Sequence, residues 1–358
     1  MHDEKILVDV ERMRYPNTGL YYYCLHLANA LQQQQPLHKA RLGFYLRKET
    51  MSLFPNSELN RVQHSFHKHH MFFAGKFDVW HCTFQGSNYF PAGSKAKIVF
   101  TVHDLNFLHE KLPRRKQKKF LDALKKKVNR ADVIITISAF VKNDLQANLE
   151  ADDKKIKVIH NGCNINKAST AYAPAAIPPA PYVFTIGAIA EKKNFHVLPG
   201  LLLNNDHCLV IAGITHNEDY KQKIIDTAKK LGVDQRVIFT GGISEGEKYW
   251  YLQNCLAFAF PSLAEGFGLP VIEAMHFGKP VLLSKATSLP EIGGNYAYYL
   301  DNFEPSYMSN ELQHALDDHA VNHRAGKIIE WSEQFNWDVT AQKHWQIYES
   351  LLQGNRTG

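Results

Sequence analysis

The sequence has 358 residues, 45% hydrophobic and 21% charged, with a formal net charge of +6. These values are typical of a folded globular protein and exclude a disordered or fibrous chain. A chain of this length predicts two domains rather than one core. No apolar run reaches membrane-spanning length and no leader precedes the first strand, so we expect a cytoplasmic protein. The five scattered cysteines form no Cys-x-x-Cys pair and are expected to be reduced, mostly buried thiols.

Short apolar runs alternate with helical stretches in both halves of the chain. The strands predicted in the first half lie near 5–10, 42–47, 78–82, 97–102, 132–137 and 156–160. Those predicted in the second half lie near 182–187, 207–212, 236–240, 256–260, 280–284 and 297–300. This rhythm is typical of parallel sheets covered by helices on both faces, and it predicts an α/β protein with two doubly wound domains. Ligands of such folds bind beyond the C-terminal strand ends, so we expect a site in a cleft between the domains.

The two halves are separated by residues 168–181, which are rich in Pro and Ala and have no helical or strand period. Such a composition predicts a linker. We therefore predict an N-terminal domain at 1–167 and a C-terminal domain at 182–339.

The loop after the first strand, residues 11–19, lacks the Gly-x-Gly-x-x-Gly motif of dinucleotide-binding proteins, as does the rest of the chain. A nicotinamide-dependent dehydrogenase is therefore disfavoured. Gly19 comes just before a helix predicted at 20–33. A simple helix-entry turn explains this glycine as well as a ligand-binding loop does.

Four histidines, His64, His67, His69 and His70, cluster in a loop-like stretch. Zinc sites usually draw on spaced Cys or His held by ordered elements, and no carboxylate or cysteine accompanies this cluster. We predict no metal here, and a solvated or acceptor-binding loop instead.

His103 and Asp104 directly follow the strand predicted at 97–102. Side chains at the C-terminal end of a parallel strand project toward the expected site. Taken alone, His103 is explained equally well as a structural histidine.

Residues 112–130 predict an amphipathic helix, because Phe120, Leu121, Leu124 and Val128 share one face while Lys and Arg crowd the rest. Such a helix could lie on an anionic membrane surface, where each basic residue contributes on the order of 1 kcal/mol. A sheet-covering helix with a solvated basic face explains the pattern equally well. Nucleic acid is not an expected partner, because the chain has no stacking platform or recognisable binding motif.

In the second half, the strand at 182–187 ends in Gly187 and is followed by Lys192 and Lys193. Paired lysines at the C-terminal edge of the sheet would place cations against a diphosphate, where they could neutralise a leaving group.

The stretch 256–285 reads as two buried strands joined by a helix that begins at Pro270 and ends at Gly278. The loop before this helix contains glycines, which let the backbone approach a ligand, and a helix N-terminus after glycines is an anion site. Glu273, in the first helical turn, leans back toward Glu265 in the loop. Two carboxylates in such a place indicate that hydroxyl groups are bound there.

The string from Phe260 to Met275, with its Glu-x7-Glu spacing, resembles the signature of the family-four retaining glycosyltransferases, which have the two-domain GT-B fold. The resemblance implies that Glu265 lies against the donor sugar and that Glu273 holds the ribose hydroxyls of the nucleotide. A solvated loop charge and a partner for the helix dipole are the structural alternatives for the two glutamates.

Other strings extend the resemblance. It implies that His103 lies by the donor sugar and that the two lysines bind the diphosphate, although Lys192 replaces the family's arginine and Ala188 stands where many members carry another arginine. The expected catalytic residues are Glu265, His103 and Lys193. The expected substrate-binding residues are Gly19, Asp104, Gly187, Lys192, Lys193, Ile243, Ser244, Gly266, Phe267, Gly268, Leu269 and Glu273.

The resemblance thus implies a retaining transferase that moves a hexosyl unit from a nucleotide diphosphate sugar to a saccharide or lipid-linked acceptor, with no cofactor and no metal. The mannosyltransferase-like strings favour GDP-mannose and a role in cell-surface polysaccharide synthesis. A terminal helix near 340–353 is expected to pack back on the first domain. The alternatives are a nucleotide-sugar hydrolase or epimerase of the same fold and a non-catalytic sugar-binding protein.

Overall fold

The structure is a computed structural model that describes residues 3–16, 18–55, 57–108, 112–165 and 173–354. The chain divides into two compact units, one made of Met1–Gly162 and Phe335–Gly358 and the other of Cys163–Gln334. Residues 168–172 of the predicted linker lie outside the described residues. The chain returns to the first unit at Phe335, somewhat before the predicted residue 340.

The first unit contains one parallel sheet of seven strands in the order β3-β2-β1-β4-β5-β6-β7. The strands are β1 Lys5–Asp9, β2 Arg41–Leu46, β3 Arg61–Val62, β4 Val79–Cys82, β5 Lys97–Val102, β6 Val133–Thr136 and β7 Ile156–Val158. Its helices are α1 Gly19–Gln34, α2 Arg114–Arg130, α3 Ala139–Leu149 and the C-terminal helix Trp337–Gly354. Thr18 and Ser138 cap α1 and α3 with their hydroxyl groups, as their residue types favour.

The second unit contains a parallel sheet of six strands in the order β10-β9-β8-β11-β12-β13. The strands are β8 Tyr182–Ile186, β9 Cys208–Ala212, β10 Val237–Gly241, β11 Ala257–Phe260, β12 Val281–Ser284 and β13 Tyr298–Leu300. Its helices are α4 Glu218–Lys230, α5 Glu245–Asn254, α6 Leu269–His276, α7 Leu289–Gly293, α8 Pro305–Val321 and α9 Ala325–Glu333. The predicted α/β class with two doubly wound sheets is confirmed.

The C-terminal helix is anchored in the first unit by aromatic side chains. Trp345 and Tyr348 are fully buried, and the Trp345 indole N–H donates to the Leu31 carbonyl at 3.2 Å. The Tyr348 hydroxyl is hydrogen-bonded to His81 Nδ1 at 2.7 Å. Burial, reinforced by the nearby His344, lowers the pKa of His81 well below its usual value. This helix therefore completes the core of the first unit.

Across the described residues, no helix is both long and apolar enough to cross a bilayer.

Candidate active site

The loop between β11 and α6 carries the first predicted glutamate and is held by hydroxyl groups that follow β12. The backbone N–H of Glu265 donates to Thr287 Oγ1 at 3.0 Å. Ser288 Oγ lies 3.0 Å from the Glu265 carbonyl and 2.8 Å from the Phe267 carbonyl. Gly268 precedes α6 with φ 118°, in the left-handed region where glycine is favoured. Helix α6 begins one residue before the predicted Pro270, so Glu273 is its fifth residue and lies beyond the first turn in which it was predicted. The helix ends at His276, and Gly278 lies just past its C-cap with φ 67°, as predicted for a glycine after a helix end.

Lys193 and Glu265 form a tight ion pair at the C-terminal edge of the second sheet. Lys193 Nζ lies 2.5 Å from Glu265 Oε1, and the two side chains are 13% and 15% exposed. Lys193 Nζ is also 4.7 Å from the centre of the Phe260 ring, a cation–π contact. The backbone N–H of Leu263 donates to the Lys192 carbonyl at 2.8 Å, which ties the lysine turn to the glutamate loop. The structure thus brings the predicted lysine and glutamate together.

Gly187 makes room for this lysine. A Cβ atom at residue 187 would lie 3.2 Å from Lys193 Cε, and its φ of 156° is one that L side chains rarely adopt. The predicted glycine therefore allows the lysine stem to cross the end of β8.

Glu273 forms a second ion pair, with a residue that the sequence analysis missed. Lys248 Nζ, on α5, lies 2.5 Å from Glu273 Oε1, and the side chains are 17% and 14% exposed. Glu245 Oε1 lies 3.9 Å from the same ammonium and accepts a hydrogen bond from the Tyr249 hydroxyl at 2.8 Å. Each glutamate of the Glu-x7-Glu motif therefore has its own lysine.

The surroundings of Lys248 keep it charged. Burial alone would lower the pKa of Lys248, but the carboxylates of Glu273 and Glu245 outweigh it and raise the pKa. Cys163 lies close to the same cluster: burial, followed by the Glu273 carboxylate, raises the pKa of its thiol well above the usual value. This thiol is therefore protonated at neutral pH and is not a nucleophile.

The remaining predicted residues of the second unit lie after β8, β10 and β11, and Leu269 among them is the first residue of α6. Ser244 is exposed and caps α5: its Oγ accepts from the Glu247 N–H at 3.3 Å, and Glu247 Oε2 accepts from the Ser244 N–H at 2.8 Å. Phe267 is buried. The half-buried ones are Lys192, Ile243, Gly266 and Leu269. Capping is thus the function that the structure gives Ser244, and its predicted role in substrate binding stays a prediction.

In the first unit, His103 directly follows β5 and is held in one orientation. Its Nε2–H donates to the Thr83 carbonyl at 2.8 Å, since a carbonyl can only accept, and its ring packs edge-on against Tyr23 at 4.5 Å. Burial lowers the pKa of His103 to about 4. The imidazole is therefore neutral at pH 7, and its Nδ1 carries the lone pair.

Gln85 fixes the backbone on both sides of this histidine. Its Oε1 accepts from the His103 N–H at 3.0 Å, and its Nε2 donates to the Asp104 carbonyl at 3.1 Å. The Asp104 carboxylate accepts from the Asn106 N–H at 3.0 Å and so closes a turn. Gly19 begins α1, and a Cβ there would meet nothing within 4 Å. The helix-entry turn that the sequence left open is present at Gly19.

Arg12 is a further residue near His103 that the sequence analysis did not single out. Its guanidinium lies 4.5 Å from the Phe84 ring centre and 4.6 Å from that of Tyr15. Its Nε is buried and has no hydrogen-bond partner within the described part of the chain. A buried donor of this kind can bind an anion or a hydroxyl group. The signal was its position in the loop after β1, at the C-terminal edge of the sheet.

The basic residues of α2 fall into two groups. Lys127 and Arg130 turn inward and donate to backbone carbonyls, Lys127 to those of Gln85 at 2.8 Å and Ser87 at 2.6 Å. The outer group is exposed and consists of Arg114, Arg115, Lys116, Lys118, Lys119, Lys125 and Lys126. Phe120, predicted on the apolar face, is 50% exposed beside them. The predicted basic face is therefore present, but Lys127 and Arg130 do not belong to it.

The described residues contain no group of three or more His, Cys, Asp or Glu that could hold a metal ion. The predicted histidine loop forms short 3-10 turns in which His64 Nδ1 accepts from the Phe66 N–H at 3.2 Å.

Two doubly wound parallel sheets, with lysine–glutamate pairs at the C-terminal edge of the second, place the chain in the GT-B fold class. Solved structures agree: the chain superposes on Anabaena Alr3699/HepE in complex with UDP and glucose with a TM-score of 0.74 and 18% identity, covering 97% of this chain and 100% of that one. Sucrose-phosphate synthase from Thermosynechococcus elongatus gives a TM-score of 0.75 at 18% identity, with coverage of 98% and 100%.

Two family models match consecutive parts of the chain: "Glycosyltransferase Family 4" over residues 19–167 and "Glycosyl transferases group 1" over residues 174–330. The chain belongs to the family-four glycosyltransferases. The Escherichia coli O-antigen chain mannosyltransferase B is 22% identical over 97% of this chain and all of its own length. The serotype-specific mannosyltransferase WbdA of Escherichia coli is 29% identical over 50% of this chain but only 23% of its own length. Salmonella typhimurium RfbU, an O-antigen chain mannosyltransferase, is 27% identical over 57% of this chain and 56% of its own length.

Proposed function

We propose that the protein is a retaining hexosyltransferase that moves a hexosyl unit from a nucleotide diphosphate sugar to a hydroxyl group of a saccharide or lipid-linked saccharide. The observation that carries this proposal is the pair of lysine–glutamate contacts, 2.5 Å each, at the edge where ligands of such sheets bind. A diphosphate needs cations, and the hydroxyl groups of a sugar and a ribose need hydrogen-bond acceptors. The two lysines supply the cations, and the two glutamates supply the acceptors.

Lys193 and Glu265 act at the bond that breaks, between the anomeric carbon and the phosphate oxygen. The departing diphosphate takes the electron pair, and its growing negative charge is stabilised by Lys193, Lys192 and the N–H groups of Gly268 and Leu269. The Glu265 carboxylate favours the positive charge that develops on the sugar.

The acceptor hydroxyl attacks the anomeric carbon from the face that the diphosphate leaves, so the configuration is retained. Its proton passes to the departing phosphate oxygen, and no side-chain nucleophile is needed. Holding the two reactants in this arrangement supplies much of the rate enhancement.

Glu273 binds the ribose hydroxyls, with its carboxylate oriented by Lys248, and the loop with Ile243 and Ser244 lies against the base. In the first unit, the neutral His103 is suited to hydrogen-bond a sugar hydroxyl through the Nδ1 lone pair without adding a charge. Arg12 is proposed to offer its buried Nε–H to a hydroxyl or phosphate oxygen.

GDP-mannose is the favoured donor because three relatives are named as mannosyltransferases, two of them of O-antigen chains. O-antigen is a cell-surface polysaccharide, which supports the same class of product for this chain. The UDP bound to the HepE structure supports a nucleotide diphosphate donor in general.

The test is nucleotide release from GDP-mannose, UDP-glucose and ADP-glucose with and without a saccharide acceptor, together with thermal shift by GDP, UDP and ADP. We expect acceptor-dependent release from the GDP sugar and a product whose anomeric proton shows retained configuration. Release without acceptor would identify a hydrolase, and binding without release would identify a sugar-binding protein. A response to UDP alone would refute the proposed base while leaving the transfer reaction in place.

We also propose that α2 docks the enzyme on an anionic membrane surface at the inner face of the plasma membrane, where a lipid-linked acceptor would be reached. Seven exposed basic residues and the half-exposed Phe120 support this, since anionic lipid attracts the charges and the ring can enter the interface.

A further inference from the structure

A groove on the first unit is formed by two segments to which the proposed transfer has so far assigned no residue. Residues 66–76 form one wall, and residues 90–95 form the other. The main part of the groove has a volume of about 490 Å³, and an adjoining part has about 300 Å³. The main part alone falls within the usual size range of small-molecule sites.

Both walls are supported from behind. The Arg130 guanidinium donates to the carbonyls of Ala92 at 2.9 Å, Ser94 at 2.7 Å and Ala96 at 3.0 Å, which holds the second wall in place. On the first wall, His67 Nδ1 accepts from the His64 N–H at 3.2 Å and is 3.0 Å from the Tyr45 hydroxyl. The groove is thus formed before any ligand enters, which reduces the entropy cost of binding.

The lining combines positive charge with flat rings. Lys68 and Lys95 line the main part together with His67, His69 and His70, and no Asp or Glu occurs among the described residues of the lining. Phe72 is 82% exposed and stacks on the His70 ring, with centroids 5.4 Å apart and planes 3° apart.

We infer that the groove binds a saccharide that carries a negative group, either a phosphate or a carboxylate. The two lysines favour an anionic ligand over a cationic one, because no carboxylate occurs among the described residues of the lining. The exposed ring of Phe72 offers an apolar surface within the groove, and the C–H face of a sugar ring fits its electron-rich face. That this saccharide is the acceptor rests on the proposed function; the binding site itself does not.

The experiment measures binding of mannose 6-phosphate, methyl mannoside and inorganic phosphate to the full chain by titration calorimetry. The charge variant is Lys68→Ala with Lys95→Ala, and the ring variant is Phe72→Ala. Lys39→Ala and Leu37→Ala are the matched controls, since Lys39 is an exposed lysine of the same unit and Leu37 is 81% exposed.

We expect mannose 6-phosphate to bind more tightly than either methyl mannoside or inorganic phosphate. The charge variant should bind mannose 6-phosphate about tenfold more weakly than the wild type. Added salt should likewise weaken binding of mannose 6-phosphate to the wild type. The ring variant should weaken binding of mannose 6-phosphate and leave that of phosphate unchanged. Equal affinity for phosphate and mannose 6-phosphate, or equal losses in the controls, would overturn the inference. Binding of phosphatidylglycerol vesicles that depends on the groove, without binding of the soluble probes, would also overturn it in favour of a lipid surface.

Transfer assays separate this inference from the proposed function. If the groove variants leave KM for an anionic acceptor unchanged while Glu265→Gln abolishes transfer, the groove assignment fails and the transferase stands. If the wild type binds mannose 6-phosphate through the groove but transfers no sugar from any nucleotide donor, the groove stands and the proposed reaction fails.

Discussion

Replacing Glu273 by Gln tests the ribose-binding role with the smallest change of shape. Gln keeps one acceptor oxygen but loses the charge, so hydrogen bonds from ribose hydroxyls weaken. Glu273 is only 14% exposed, so solvent screens these bonds little. The loss should be about 1.5–3 kcal/mol of donor binding, or about 10- to 150-fold in Kd. Turnover at saturating donor should change little.

The same substitution should cost modest stability. Breaking a buried ion pair completely costs about 3–5 kcal/mol, because one charge is left without a partner. Lys248 keeps Glu245 at 3.9 Å, however, and all three groups retain some contact with solvent. We expect a loss of about 1–2 kcal/mol in the free energy of unfolding, measured by denaturant titration.

Glu265→Gln is the matched comparison, since the two ion pairs have the same length and nearly the same exposure. Here turnover should fall, because the carboxylate favours positive charge that develops only in the transition state, while nucleotide binding stays near normal. Steady-state kinetics with donor titrated at saturating acceptor separates the two effects.

Lys248→Met extends the test to the residue that orients Glu273. Its effect on donor binding should resemble that of Glu273→Gln, and the double variant should lose much less than the sum, because the two side chains act as a unit. Additive losses would refute the positioning role of Lys248. Folded variants at both glutamates with normal donor binding and turnover would refute the two-carboxylate site as a whole.

Two further predictions concern the first unit. Changing Arg114, Lys118 and Lys125 to Ser should abolish co-sedimentation with anionic vesicles, while turnover of a soluble acceptor survives. The same change at three exposed lysines of α4 should leave co-sedimentation unchanged; these control residues are Lys223, Lys229 and Lys230. Burial lowers the pKa of His103 and of His344 to about 4, below the 6.5 of an unperturbed imidazole. Between pH 4 and pH 6.5 the unfolded state therefore binds more protons than the folded state. The free energy of unfolding should fall as the pH drops through this range, by about 1.4 kcal/mol per pH unit for each histidine. His344→Leu should reduce this dependence of the free energy of unfolding on pH, measured by denaturation at several pH values. An unchanged dependence would contradict the lowered pKa of His344.

The fold was predictable because a strand buried in a parallel sheet has a continuous run of apolar residues in the sequence. β8, Tyr182–Ile186, and β11, Ala257–Phe260, are almost wholly buried and were found to within about a residue of their ends. β3, Arg61–Val62, was missed because two half-exposed residues carry no period. Its place in the sheet comes from pairing with β2, a contact that no local pattern encodes.

The site was predictable only where its residues lie in one continuous string. Glu265 and Glu273 share a loop and the helix that follows it, so their spacing carries information. Lys248 precedes Glu273 by most of a helix and a strand, and it reaches that glutamate only because α5 packs beside α6. Within α2, identical residue types have different roles: Lys127 binds carbonyls and Lys126 is exposed. Composition cannot separate these roles, because they depend on which way each side chain points.

In the proposed mechanism, lysine instead of the family's arginine at residue 192 gives Lys193 a larger share in binding the diphosphate. A guanidinium can bind two phosphate oxygens in a bidentate contact, whereas an ammonium has three N–H donors that point in different directions. One donor of Lys193 is directed to Glu265, which leaves two for the diphosphate. In the proposed mechanism, the same ammonium therefore contacts both the Glu265 carboxylate beside the sugar and the oxygens of the leaving group. We accordingly expect the ion pair with Glu265 to persist when the donor binds.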